Sequence, residues 1–190
     1  MRYEKGRKDA SRRRILEVAT ERFRGEGIAA SGLASIMGDA GLTNGAFYPH
    51  FKSKADLVRE SVRTALQDQS AWMRQTLASG GVDAVIAAYL SPAHRDHPEH
   101  GCVSAALLPE LARQPPETRA AYTEDFLALV RELADALPPG TPDPEGVVLA
   151  IFATAIGALQ LARAVEGEGV SDRILAAGAE AARSLARLRE

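Results

Sequence analysis

The sequence predicts an all-α fold of about nine helices: an N-terminal three-helix unit with a helix-turn-helix, then a larger helical body. Three observations carry this. Apolar residues recur at helical spacing, and Val, Ile and Thr never alternate over a strand-like run. Ala, Leu, Arg and Glu, all strong helix formers, dominate the chain. Gly and Pro stop signals close one apolar run after another.

Taken in order, the first helix is expected from about Asp9 or Ser11 to Gly25, with Leu16, Ala19 and Phe23 on one face and Gly25 and Gly27 as the stop. A short helix follows from Gly32 to Asp39, with Ser31 as its N-cap, and Gly41 breaks it. A second short helix starts at Thr43 and cannot continue cleanly past Pro49. A long helix runs from about Lys54 to Ala78, opened by a capping box of Ser53 and Asp56 and ended by Gly80 and Gly81. Val82 to Leu90 forms another helix, closed by Ser91 and Pro92. Residues 92–100, rich in His, Pro and acid, read as a loop. Helices over about 102–113 and 117–137 follow, the second with Tyr122, Phe126, Leu129, Val130, Leu133 and Leu137 on one face. A Pro-rich connector, 138–144, leads to two final helices over about 145–165 and 171–188.

These last two differ from the others. Val147, Val148, Ile151, Phe152, Ile156, Leu159 and Leu161 go most of the way round the first, so it reads as buried on all sides. Ile174, Gly178, Ala181, Leu185 and Leu188 step by 4, 3, 4, 3 along the second, a seam suited to helix packing. The expectation is a homodimer through a four-helix bundle. Its interface would hold Val148, Ile151, Phe152, Ala155 and Leu159 together with Ile174, Gly178, Ala181 and Leu185. The uncharged run from Gly146 to Ala162 is shorter than the ~20 residues a membrane span needs, and no apolar segment follows the basic start as in a signal peptide. No membrane partner and a cytoplasmic location are therefore expected.

Charge divides the 190 residues. The net charge is -2. Residues 1–60 carry 12 Lys and Arg against 8 Asp and Glu, a net of +4, and the remainder is net -6. Seven of the basic side chains lie within the first fourteen residues. Such asymmetry points to one part that meets an anion and another that does not. The single Cys excludes an internal disulfide.

The stretch Gly27 to Leu57 holds the motif. Two short helices joined by Asp39-Ala40-Gly41-Leu42 make a helix-turn-helix. Phe23, Leu33, Ile36, Met37, Leu42, Phe47 and Phe51 supply its three-helix core. The geometry presents the start of the second short helix to a DNA major groove.

The residues Gly41-Leu42-Thr43-Asn44-Gly45-Ala46-Phe47-Tyr48-Pro49-His50-Phe51-Lys52-Ser53-Lys54, followed by Asp56-Leu57, resemble the signature of the TetR family of transcriptional regulators. Upstream, Phe23, Gly27, Ile36 and Ala40 fit as well. The resemblance covers roughly residues 11–58. It implies a DNA-binding domain over 1–58, with a basic N-terminal arm, and a ligand-binding and dimerisation domain over 59–190. Thr43 would cap the recognition helix and touch the DNA backbone. Asn44 matches the base-reading position, and Gly45 and Ala46 allow close approach. Tyr48, His50 and Lys54 match positions that hold phosphates. Arg12 and Arg13 belong to the basic segment that lies along the backbone. Pro49 departs from the bulky or polar residue usual there.

The same resemblance implies a ligand-responsive regulator, a repressor released from a palindromic operator in double-stranded DNA. A small apolar or aromatic effector would act from a cavity lined by some of Trp72, Met73, Leu77, Cys102, Tyr122, Phe126 and Phe152. Ligand would tilt the long helix and change the spacing of the two readers. Two alternatives come from the residues. Cys102 at a helix N-terminus is a candidate redox or electrophile sensor, and His94, His97 and His100 are candidate metal ligands beside it. There is no Gly-rich phosphate loop, nucleophile elbow or His-Glu-x-x-His motif, so neither an enzyme nor a cofactor is expected.

Overall fold

The structure, a computed structural model, describes residues 2–187. Among these, every regular element is helical. Helix α1 (Arg2–Glu26), α2 (Leu33–Asp39) and a single 3-10 turn (Asn44–Ala46) form the N-terminal unit. The body holds α3 (Lys54–Tyr89), α4 (Pro92–Asp96), a 3-10 turn (Pro98–His100), α5 (Val103–Leu111), α6 (Pro116–Ala134), α7 (Pro144–Ala164) and α8 (Glu168–Arg187).

Several boundaries differ from the sequence reading. Helix α1 begins at Arg2, so the basic segment is helical and not an extended arm. Helix α2 is capped by Gly32 without a side-chain bond. Ser31 is instead buried, its hydroxyl donating to Gly27 O at 2.7 Å. The expected helices over 54–78 and 82–90 are one element broken at Gly80-Gly81, where Gly81 takes a left-handed φ of 68° that suits glycine. The expected loop at 92–100 holds α4 and the 3-10 turn, because Ser91 caps α4 through His94 N at 3.2 Å and Pro92 opens it. Of the seam on the last helix, Leu188 lies outside the described residues.

Ser53 caps α3 as expected, accepting from Asp56 N at 3.1 Å. The reciprocal bond is displaced by one residue: Asp56 accepts from Lys52 N at 2.9 Å.

Two apolar cores result. One joins α1, α2, the recognition turn, the first half of α3 and α5 through Phe23, Ile36, Phe47, Phe51, Leu57 and Leu107. Phe47 and Phe51 stack at 5.6 Å, and each buried ring is worth roughly 1.5–3 kcal/mol. The other core lies in the body, among Met73, Ile86, Tyr89, Val130, Phe152 and Leu159.

One polar residue on the largely apolar α7, Gln160, has a local cause. Pro109 sits inside α5 and has no N–H to give to Ala105 O. Gln160 of α7 donates to that carbonyl at 3.0 Å instead. Helices α7 and α8 approach closely at Gly178, where an added Cβ would lie 2.4 Å from the Ala158 Cβ.

Candidate nucleic-acid interface and adjoining cavity

The tip of the N-terminal unit is the run 43–50. Thr43, Asn44 and Gly45 are exposed, and Tyr48 is 71% exposed, the most exposed large apolar side chain described. Phe47 and Phe51 anchor the run from beneath, each 1% exposed. The local fold is tighter and shorter than a helix. Ala46 N bonds Thr43 O at 2.9 Å and Phe47 N bonds Asn44 O at 3.2 Å, both i to i-3. Pro49 has no N–H for an i-4 partner and disfavours α geometry at Tyr48, while Gly45 adds a poor helix former. Thr43 occupies the N-cap position but makes no side-chain capping bond, contrary to the role expected of it. A 3-10 turn leaves fewer N–H groups for a side chain to cap.

The flanking cations are less free than the sequence suggests. Arg12 donates to Glu60 at 2.9 Å and lies 5.0 Å from the centre of the Phe51 ring, so it ties α1 to α3. Arg13 is exposed. Lys54 donates to Ile28 O at 2.5 Å and so holds the α1–α2 loop. His50 is half-buried, and its Nδ1 is buried without a partner. Desolvation, helped by Lys8 and Arg12, pushes its pKa below the ordinary value of 6.5.

A joint connects this unit to the body. Glu110, on α5, accepts from Ile28 N at 3.2 Å and from Ala29 N at 3.0 Å. Gly27 makes room for that carboxylate: its φ is +90°, and an added Cβ would sit 2.7 Å from Glu110 Oε1. Arg24, from the last turn of α1, donates to Gly101 O at 2.9 Å. Beside it, His94 joins two segments. Its Nδ1 pairs with Tyr89 O at 2.7 Å, and Cys102 N donates to its Nε2 at 2.9 Å. Those partners fix a neutral tautomer, and desolvation holds its pKa below 6.5. Arg163 locks the same turn by donating to His94 O at 2.6 Å and Arg95 O at 3.0 Å.

A cavity of about 520 Å³ adjoins the joint, lined from α1, α3, α4 and the start of α5 by Arg24, Asp68, Gln69, Trp72, Tyr89, His94 and Cys102 among others. A separate apolar slot of about 40 Å³ lies deeper, among Met73, Leu77, Tyr89, Leu133 and Phe152. The seven expected ligand residues are therefore not brought together. Trp72 and Cys102 line the first space, and Met73, Leu77 and Phe152 the second. Tyr122 and Phe126 line neither. Their rings stack at 5.6 Å, and the Tyr122 hydroxyl meets Ser104 Oγ at 2.9 Å. The roomier space is mostly apolar in lining, as the sequence suggested, but the polar side chains of Arg24, Asp68, Gln69 and His94 also border it. Arg24, which no local pattern links to a residue 77 positions away, was missed, and so were Gln69 and Glu110.

The expected metal triad is dispersed. His94 has both ring nitrogens engaged, while His97 and His100 are exposed beside Glu99. No group of three His, Cys, Asp or Glu able to hold a metal ion occurs among the described residues.

The expected interface residues are also redistributed. Val148, Phe152, Ala155, Leu159 and Gly178 are buried in the protomer's own core and cannot also face a partner. Ile151, Ile174 and Leu185 are half-buried, and Ala181 is exposed. The outward face of α7 carries Leu149, Ala153, Leu161 and Ala164, so the helix is not buried all round. That of α8 carries Val170, Ala177 and Ala181. Helix α7 is long and apolar enough to cross a membrane by length and composition alone, but its inner face packs on α5, α6 and α8.

The reader's geometry has close counterparts. Residues 15–61 match the family model described as bacterial regulatory proteins, tetR family. Fifty residues are 44% identical to the HTH-type transcriptional regulator AcrR of Shigella flexneri, covering 26% of this chain and 23% of that protein. Seventy-three residues are 34% identical to the HTH-type transcriptional repressor KstR2 of Rhodococcus jostii (strain RHA1), covering 38% and 36%. The aligned stretches thus span well under half of these curated relatives. A TetR-family regulator from Agrobacterium tumefaciens has the same fold over 92% of this chain and 98% of its own, with a TM-score of 0.74 at 22% identity. The matched residues are those that build the reader's core and tip, and the helical plan around them recurs: residues 15–61 match the DNA-binding region of the TetR family of regulators, within a chain that has the TetR fold.

Proposed function

We propose that the chain is a homodimeric, sequence-specific DNA-binding regulator, released from a palindromic operator by a small molecule. The exposed Thr43-Asn44-Gly45 run, on a basic unit bonded at its far side to a body with a cavity, carries this reading. Asn44 offers an amide to base edges, and Gly45 and the Ala46 methyl permit close approach. Tyr48, His50, Arg13 and, once released from their intramolecular partners, Arg12 and Lys54 take phosphates. The likeness to a relative named a repressor favours repression. A regulator of this kind works in the cytoplasm, without a cofactor and without catalysis.

The partner subunit meets the outward faces of α7 and α8, where Leu149, Leu161 and Val170 are otherwise left in water. Effector release runs through α5. Its N-cap, Cys102, borders the cavity, and its last turn carries Glu110, which holds the α1–α2 loop. A ligand that shifts α5 or the first half of α3 changes how the reader sits, and hence the spacing of the two recognition turns. Selection of bound DNA from a random pool tests the reading. A palindromic winner is expected, and a pool that yields no enriched sequence overturns it.

A second reading, sensing through Cys102, has one observation in its favour: the thiol lines the cavity although it is only 4% exposed. Iodoacetamide that fails to label Cys102 in the folded protein removes that reading.

A further inference from the structure

Three residues bordering the larger cavity carry buried polar atoms without partners. Tyr89 is 3% exposed, and its hydroxyl makes no hydrogen bond of ordinary geometry, lying close to the weakly accepting Cys102 thiol. Arg24 Nε–H and Gln69 Oε1 are also buried and unpaired. Tyr89, Arg24 and Gln69 all border one space of about 520 Å³, and a small side-chain rotation turns their shielded polar atoms toward it. A buried polar group left unpaired is costly, so a molecule that pairs all three gains on binding.

The charge distribution selects its sign. The cation, Arg24, is the half-buried charge; desolvation lowers its pKa, and Asp68, Glu21 and Glu99 offset that only in part. The carboxylate of the same cavity, Asp68, is exposed at the rim, as are His97 and His100. Trp72, the sole tryptophan, is 39% exposed and offers a flat apolar face at the mouth.

We propose that this cavity takes an aromatic carboxylate bearing a ring hydroxyl. The carboxylate accepts from Arg24 Nε–H and the Tyr89 hydroxyl, the ring lies against Trp72, and the ring hydroxyl donates to Gln69 Oε1. Because Arg24 belongs to α1, this ligand acts directly on a helix of the reader. The assignment rests on the ligand-responsive reading above and gives that ligand a chemical class.

Calorimetric titration of the full chain tests it with three probes: 4-hydroxyphenylacetate, its methyl ester and phenylacetate. The acid is expected to bind at least about tenfold tighter than the ester, because hydrogen bonds to charged groups are worth about 1.5–3 kcal/mol. Phenylacetate is expected to bind several-fold weaker than the hydroxylated acid. In Arg24→Gln the preference of acid over ester disappears. Equal affinity for acid and ester in the unaltered chain overturns the proposal, as does no detectable binding of the acid at millimolar concentration. A preference retained in Arg24→Gln overturns the role of Arg24. Operator affinity is measured in parallel. Binding of the acid without operator release overturns the release reading and leaves the ligand class intact. Loss of acid binding in a chain that still selects a palindrome overturns the ligand class alone.

Discussion

The two polar regions of the molecule are built in opposite ways. At the reader's tip, Thr43, Asn44 and Tyr48 are exposed, and none of their side chains makes a hydrogen bond among the described residues. At the joint, His94, Arg24, Arg163 and Glu110 all bond backbone atoms of other segments. The tip leaves its side-chain donors and acceptors free of internal partners, and is fixed by the buried rings of Phe47 and Phe51 and by its own backbone turn. The joint uses its polar groups to fix the chain itself. Polar character alone therefore does not mark a recognition surface; polar groups without internal partners, carried on a rigid base, do.

Substitution separates the two designs, and the joint shows the larger effect on stability. His94→Ala strips the partner from Cys102 N–H and Tyr89 O and leaves a void, so a loss of about 3 kcal/mol is expected in urea unfolding. The same residue sets a pH dependence. The folded pKa of His94 lies below 6.5, so unfolding takes up a proton once the unfolded imidazole begins to charge. Its contribution is full above about pH 6.5 and falls as the pH drops toward the folded value. His50 shares that direction, so the comparison is made with His94→Ala in which only the His50 part remains. An equal change of stability between pH 8 and 5 in the two chains would show that His94 is not held neutral.

Glu110→Gln comes next. A neutral amide oxygen accepts less strongly than a carboxylate and its NH₂ repels the facing N–H groups, so a loss of about 1–2 kcal/mol is expected. Faster amide hydrogen exchange at Ile28 and Ala29 is the local signature. Unchanged exchange there breaks the picture of α5 as the link between cavity and reader.

Asn44→Ala reverses the pattern. Stability is expected to hold within about 0.5 kcal/mol, because nothing internal is lost. Operator discrimination at one half-site position is expected to fall by about 1–3 kcal/mol, read by competition between operator variants. A destabilised Asn44→Ala would mean that the tip is bonded internally after all.

Much of the reader was legible in the sequence, and the reason is local. Phe23, Ile36, Met37, Phe47 and Phe51 fall at spacings that put them on the facing sides of neighbouring helical elements, and all five are buried. The turn residues that join those helices are specific in kind. The face that α7 turns outward was not legible. With apolar residues on every side of α7, periodicity could not choose, and Val148, Phe152, Ala155 and Leu159 form an inward stripe as regular as the outward one. On α8 the inward stripe is Leu175, Gly178, Ala179 and Ala182, and of the seam expected at a partner only Gly178 belongs to it. The cavity was half legible. Trp72 and Cys102 line it, but Arg24 reaches it only because α1 crosses the loop before α5, a contact that no local period encodes.

The smallest expected effect concerns the shape of the tip itself. Pro49→Ala restores an N–H that can bond Gly45 O and removes the ring from that carbonyl, so the 3-10 turn can relax to α geometry. Against this gain stands the greater freedom of the unfolded chain without Pro, worth about 0.4–1 kcal/mol. The two oppose each other, and a net stability change below about 1 kcal/mol is expected. The informative measurement is the half-site selected from a random DNA pool by each chain. If the tight turn is merely a truncated helix, Pro49→Ala selects the same half-site with one further position specified. If operator affinity collapses while stability holds, the 3-10 turn is the reading form. In that case Pro49 sets the aim of Asn44, Gly45 and Ala46 rather than shortening what they belong to.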